Sequence, residues 1–71
     1  MRSSEFWELV DTEFGVRGRL VVREHVLGAL GGRPAQQALD GGVDVRRVWF
    51  ALCDDFDVPE QRRWLSDQRK R

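Results

Sequence analysis

Apolar residues recur at helical spacing along most of the chain, and this pattern predicts a series of short helices. The first predicted helix runs from Ser4 to Phe14 and places Phe6, Val10 and Phe14 on one stripe, because these positions lie four residues apart. Ser4 is a suitable N-cap residue and Gly15 a suitable stop.

The second predicted helix runs from about Arg17 to Leu30 and ends at Gly31-Gly32. Apolar residues occupy much of its circumference, which predicts a central helix that touches more than one neighbour. One face holds Val22, Val26, Ala29 and Leu30, and another holds Leu20 and Leu27.

The fourth predicted helix carries the strongest periodic signal in the chain. It follows a short third helix, from Pro34 to Asp40, and a Gly41-Gly42 stop. Asp44 is its expected cap, and its apolar face holds Val45, Val48, Trp49, Leu52 and Phe56. A fifth helix is predicted from Val58, because Asp57 and Glu60 have the spacing of a capping box.

These elements predict an all-α fold, a compact bundle of four or five short helices with helices two and four central. We expect residues 1–66 to form a single helical domain and residues 67–71 to be a frayed basic C-terminal tail. With 71 residues and no disulfide available, apolar packing has to hold this domain together.

Composition argues against several classes of function. Twelve basic and twelve acidic residues give no net charge, which is unfavourable for a nucleic-acid-binding protein. No apolar run reaches the length of a membrane span, and no signal-peptide pattern is present, so we expect a soluble cytoplasmic protein. One cysteine, Cys53, and one histidine, His25, are too few for a structural zinc site. We expect no metal, no cofactor and no enzymatic activity.

The segment formed by helices three and four resembles a helix-turn-helix motif in its spacing. Its small, turn and core positions are Ala38, Gly42, Val43, Val48 and Ala51. In this interpretation Arg46 and Arg47 contact DNA phosphates or guanine edges. Gln37 and Gly41 stand where the motif prefers apolar residues, and Trp49 and Phe50 stand where it prefers polar ones. DNA binding is therefore the alternative hypothesis.

The main hypothesis is a non-enzymatic module that binds another protein. Aromatic and arginine side chains outside the predicted apolar faces have the composition of an interface hot spot. The candidate partner-binding residues are Arg46, Arg47, Phe50, Arg62, Arg63 and Trp64.

A set of spaced motifs resembles a known family from Met1 to about Arg63. The chain is similar to the actinobacterial domain of unknown function numbered 3046. The motifs are Met1-Arg2, Phe6-Trp7, Phe14-Gly15, His25-Val26-Leu27, Leu30-Gly31-Gly32-Arg33, Ala38-Leu39, Gly42-Val43, Val48-Trp49, Ala51, Cys53 and Asp57-Val58-Pro59.

The resemblance implies no activity and no catalytic residues, since the family has none established. Its members tend to be encoded near the recombinase and its regulator, which implies a link to DNA recombination or repair by association. His25 and Arg33 are polar residues inside family motifs, and so they are candidates for a role beyond the core. The chain departs from the family pattern at Pro34 and at Phe50.

Overall fold

The computed structural model describes residues 1–63, which are mostly helical. Four α-helices, α1 to α4, span Ser3–Phe14, Gly18–Glu24, Ala35–Asp40 and Val45–Asp55. Two short antiparallel strands, β1 (Val26–Leu27) and β2 (Arg33–Pro34), form a hairpin. One-turn 3-10 helices lie at Gly15–Arg17, Gly28–Leu30 and Glu60–Arg62. The helix-rich prediction is confirmed, whereas the all-α assignment was wrong because of the hairpin.

Helix α4 is the centre of the fold, as its periodicity predicted. Its inner face buries Val48, Trp49, Leu52 and Cys53 completely, and it packs against α1, α3 and the hairpin. The other core residues are Phe6, Leu9, Val10, Val22, Leu27, Leu30, Ala35, Ala38, Ala51 and Val58. Burial of these side chains is the dominant favourable contribution to folding in a chain without disulfides.

Helix α1 covers one side of Trp49 with aromatic rings. Phe6 and Phe14 meet the Trp49 ring edge to face, at centroid distances of 6.1 and 6.5 Å. The helix begins at Ser3, one residue before the predicted cap Ser4. The backbone N–H of Arg2 instead donates to the Glu5 carboxylate at 3.4 Å.

The second predicted helix is divided in the structure, which corrects the range of 17–30. Helix α2 ends at Glu24, and the backbone becomes extended at His25. Val26 is 53% exposed, although the helical pattern placed it on a buried face. Gly31 and Gly32 have positive φ angles of 77° and 76°. Gly31 ends the 3-10 turn Gly28–Leu30, and the two glycines close the hairpin rather than the predicted α-helix. Helix α2 still packs against α1, α3 and β2, so it touches more than one neighbour as predicted, although only Gly18 and Val22 are buried in it.

Helices α3 and α4 end in the same backbone motif, with a different residue at the critical position. After α3, Val43 N–H donates to Ala38 C=O and Gly42 N–H to Leu39 C=O, both at 3.0 Å. This is the Schellman arrangement, and Gly42 takes the left-handed conformation at φ 90°.

After α4, Asp57 occupies the corresponding left-handed position at φ 55°. Val58 N–H donates to Cys53 C=O at 3.0 Å, which completes the motif. Asp57 therefore ends α4 and does not open a fifth helix. Between residues 58 and 63 the chain forms a single 3-10 turn. Asp44 stands at the N-cap position of α4, but its side chain makes no capping hydrogen bond.

The last eight positions of the chain are not described by the structure. Trp64 and the predicted basic tail, 67–71, lie outside the described residues. The predicted domain range of 1–66 stays a prediction.

Candidate partner-binding groove

The outer face of α4, defined by Arg46, Arg47, Phe50 and Asp54, lies opposite the core. Phe50 is half-buried, whereas the three charged residues are exposed. The guanidinium carbon of Arg46 lies 5.5 Å from the centroid of the Phe50 ring. The guanidinium carbon of Arg63 lies 5.7 Å from the same centroid. Both distances are typical of cation–π contacts.

Arg63 fastens residues 58–63 to both faces of α4. Its guanidinium donates to the Val58 carbonyl at 3.0 Å and lies 3.0 Å from the Asp54 carboxylate. Its own carbonyl accepts a hydrogen bond from the Trp49 indole at 3.0 Å. Arg63 thus satisfies the polar atom of the largest core side chain and also balances the charge of Asp54.

A groove of about 350 Å³ lies between the outer face of α4 and the loop of the hairpin. Leu30 and Ala51, which are nearly buried, have small exposed areas at its floor. The complete lining consists of Ala29, Leu30, Arg47, Phe50, Ala51 and Asp54. The groove therefore combines apolar surface, one aromatic ring and one charge of each sign.

Four of the six predicted partner-binding residues come together here. Arg46, Arg47, Phe50 and Arg63 line the groove or stack on its aromatic ring. Arg62 does not join them, because its guanidinium makes two contacts with the Glu13 carboxylate, at 2.9 and 3.2 Å. Arg62 therefore ties the 3-10 turn to α1.

Sequence reasoning missed the contribution of the hairpin to this groove. Ala29 and Leu30 were assigned to a helical face, and nothing in their own spacing distinguishes a helix from a hairpin loop. The glycine pair Gly31-Gly32 was the one available signal, because consecutive left-handed residues suit a tight reversal.

His25 and Arg33, the polar motif residues, both hold elements of the fold together. His25 Nε2 lies 2.9 Å from an Asp55 carboxylate oxygen, and its ring packs 4.6 Å from that of Phe56. It therefore connects the end of α2 to the end of α4. Arg33 Nε donates to the Leu30 carbonyl at 2.9 Å, which stabilises the hairpin loop beside the groove.

Cys53 is a buried free thiol on the inner face of α4. Burial raises the pKa of this thiol to about 12, with a smaller opposing effect from Arg63. Since the thiolate is the nucleophilic form, this environment makes Cys53 unreactive near neutral pH.

Within residues 1–63, the His, Cys, Asp and Glu side chains form no group of three or more that could hold a metal ion. Over the same range, every helix is too short or too polar to cross a bilayer.

The fold and the groove define a small helix-rich domain with a surface depression. The chain belongs to the family described as "Protein of unknown function (DUF3046)", whose model matches residues 1–61. The family resemblance drawn from the motifs is thereby confirmed.

A curated relative from Mycobacterium tuberculosis (strain ATCC 25618 / H37Rv) is named "Putative envelope-preserving system protein Rv2742c". It is 51% identical over 45 residues, which make up 63% of this chain and 16% of the relative. This chain therefore matches a small part of a much longer protein. No solved structure matches the chain.

Proposed function

We propose that this protein is a non-enzymatic interaction module that binds another protein through the groove beside α4. The observation that carries the proposal is the composition of the groove. Phe50 and Arg47 line it together with the small residues Ala29 and Ala51. Aromatic and arginine residues beside a well-shaped depression are the usual centre of a protein interface.

The charges on α4 support a role other than stability. Arg46 and Arg47 stand in the first turn of the helix, and Asp54 and Asp55 stand in the last. The helix dipole favours the opposite arrangement, by roughly 0.3–1 kcal/mol for each charge. Contacts with Arg63 and His25 explain the placement of Asp54 and Asp55. Arg47 has no ion pair among residues 1–63, so a role in binding explains its unfavourable position better than stability does.

The environment of Cys53 argues against catalysis by a cysteine nucleophile. A catalytic thiol requires a depressed pKa and access to a substrate, whereas Cys53 is buried and burial raises its pKa to about 12. The one histidine, His25, is engaged with Asp55.

A DNA-binding role through α3 and α4 is the second candidate, favoured by the tight turn at Gly42. Residues 1–63 carry nine arginines and eleven acidic side chains, so this part of the chain has a net negative formal charge. Asp54 and Asp55 follow the arginines on the same helix and oppose a phosphate backbone. We therefore place DNA binding second.

The comparisons suggest two cellular settings in which the proposed protein partner could act. The family resemblance suggests proteins of recombination, and the name of the mycobacterial relative suggests an envelope-preserving system. Candidate partners from both settings belong in the test.

The test is site-specific photo-crosslinking in cells that naturally express the full chain. A photoreactive phenylalanine replaces Phe50 in the groove wall, where it conserves the aromatic ring, and a control replaces Val16, a fully exposed residue of the 3-10 turn after α1. We expect a discrete cross-linked protein from position 50 and none from position 16. The purified partner should bind at least tenfold more weakly to Arg47→Glu than to the unmodified chain.

Two results would overturn the proposal. The first is the absence of a specific cross-link at position 50, and the second is a partner whose affinity is unchanged by Arg47→Glu. Fluorescence anisotropy with labelled duplex DNA tests the second candidate function, DNA binding through α3 and α4. Saturable, salt-sensitive binding that is lost when Arg46 and Arg47 become alanine would favour DNA.

A further inference from the structure

Building on the proposed function, we infer that the groove recognises an acidic segment of its partner that carries one large apolar side chain. The apolar side chain enters the depression over Leu30 and Ala51, and a carboxylate beside it pairs with Arg47. The shape of the groove supports the apolar side chain, and the charge of Arg47 independently supports the carboxylate.

The size of the groove fits a side chain better than a cofactor. Its volume of about 350 Å³ lies at the lower end of the range of ligand pockets. The exposed parts of Leu30 and Ala51 provide an apolar floor, and the Phe50 ring provides one wall. A leucine, methionine or phenylalanine of the partner can be desolvated against these surfaces.

The two charged ends of the groove are not equivalent. Asp54 is paired with Arg63 at 3.0 Å, so its charge is balanced within the molecule. Arg47 has no carboxylate within 4.0 Å of its guanidinium in the part of the chain that the structure describes. These ends lie roughly 10 Å apart, because seven residues of helix separate them. The ligand carboxylate therefore belongs at the Arg47 end.

Arginine is well suited to this contact. Its planar guanidinium can bind a carboxylate through two parallel hydrogen bonds, which adds geometric selectivity to the charge attraction. A peptide with a basic residue at this position would meet the like charge of Arg47.

A display selection tests the inference directly. Random twelve-residue peptides on phage are selected against the immobilised full chain, and the enriched sequences are read by deep sequencing. We expect a consensus of one large apolar residue with Asp or Glu within about three positions. Synthetic peptides of this consensus should bind at least tenfold more weakly when the apolar residue becomes alanine, or when the acidic residues become lysine.

Matched variants locate the bound peptide. Ala29→Trp should fill the groove and Arg47→Glu should reverse its charge, and each should weaken binding at least tenfold. The controls are Val16→Trp and Arg17→Glu, which make the same kinds of change in a 3-10 turn that does not line the groove. Both controls should leave the affinity within twofold of that of the unmodified chain.

The outcomes separate this inference from the proposed function. Enriched peptides that are basic or lack an apolar residue, but are still lost with Ala29→Trp, would overturn the acidic-ligand inference and leave the groove as the binding site. Peptides that bind Ala29→Trp normally would contradict the groove itself. The absence of any enriched sequence would overturn the inference, while the cross-linking test still decides the proposed function.

Discussion

The two faces of α4 are built on different physical requirements. The inner face consists of Val48, Trp49, Leu52 and Cys53, which have no exposed surface. The outer face consists of Arg46, Arg47, Phe50 and Asp54, three of which are exposed. One helix of eleven residues thus supplies both the centre of the core and the candidate binding surface.

This difference shows which substitutions the fold can tolerate. Interior side chains are packed at high density, and a change of even one methylene affects stability. On the outer face, Asp54 pairs with Arg63, whereas Arg47 stands against the helix dipole, so we expect the fold to depend little on Arg47. We therefore expect stability to depend on the inner face and binding to depend on the outer face. Four predictions, in order of decreasing effect, concern the inner face, the helix ends and the outer face.

Replacement of Trp49 by alanine should have the largest effect. Tryptophan-to-alanine changes in a core cost about 3–5 kcal/mol, and a domain of this size has a total stability of roughly 3–5 kcal/mol. We expect Trp49→Ala to be largely unfolded at 25 °C, measured by far-ultraviolet circular dichroism.

A milder substitution at Trp49 should leave the protein folded, so that its loss of stability can be measured. Trp49→Phe retains a ring but loses the indole hydrogen bond to the Arg63 carbonyl. It should fold and lose about 1–3 kcal/mol in urea denaturation. A fully stable Trp49→Phe would contradict the role assigned to Arg63 in holding residues 58–63.

The pKa of Cys53 predicts a loss of stability in alkaline solution. The folded pKa, about 12, lies above the unfolded value of 9.0. The folded state therefore holds the proton more tightly, and its advantage is present below pH 9 and is lost as the pH rises toward 12. Between pH 8 and pH 10 the free energy of unfolding should fall by about 1.4 kcal/mol.

The composition of the chain makes the loss of stability between pH 8 and pH 10 specific for Cys53. The chain has no tyrosine and a single lysine, Lys70, so few other side chains titrate between pH 8 and pH 10. Urea denaturation of Cys53→Ala, measured at both pH values, is the control. The expected result is a smaller pH dependence in Cys53→Ala, and equal slopes in the two proteins would contradict the assignment.

Substitutions at the equivalent positions that end α3 and α4 should change the stability of the protein in opposite directions. Gly42 and Asp57 both take the left-handed conformation, with φ angles of 90° and 55°. Gly42→Ala should destabilise the protein by about 1 kcal/mol, because a Cβ atom is disfavoured in that region. Asp57→Gly should stabilise it by about 0.5 kcal/mol, since it removes this strain and also a negative charge at the helix C-terminus.

Thermal unfolding of both variants measures the difference. A destabilised Asp57→Gly would mean that the Asp57 side chain contributes more than the backbone motif. Asp57→Asn separates the two effects, because it removes the charge and retains a residue that tolerates the left-handed conformation.

The sequence predicted α4 closely and α2 poorly, for one physical reason. Helix α4 has three turns of amphipathic pattern, whose period excludes a strand. The segment from Val26 to Pro34 contains two two-residue strands and a single 3-10 turn, which are too short to show a period. A glycine pair is compatible with either a helix end or a hairpin, and the tertiary fold selects the hairpin.

The candidate site was partly predictable for the same reason. Arg46, Arg47 and Phe50 lie on one predicted helix, so their common face follows from periodicity. Ala29 and Leu30 reach the groove only because the hairpin reverses the chain. The orientation of Arg62 toward Glu13 depends on how residues 58–63 pack on α1, which no local pattern encodes.

Arg47→Glu should have the smallest effect on stability. This variant distinguishes the roles of the two faces most clearly, because it should affect binding and not folding. An acidic residue is favoured in the first turn of a helix and a basic one is not. The variant should therefore be as stable as the original protein or more stable, by up to about 0.5 kcal/mol in urea denaturation. The matched control is Arg17→Glu, which changes an exposed arginine outside α4.

Binding should change in the opposite direction. A tenfold loss of affinity for the partner or the selected peptide corresponds to about 1.4 kcal/mol, which is larger than any expected change in folding. A variant that becomes more stable as it loses its ligand cannot owe that loss to unfolding. If Arg47→Glu instead destabilised the protein by more than 1 kcal/mol, Arg47 itself would contribute to the fold, and the assignment of this residue to binding alone would fail.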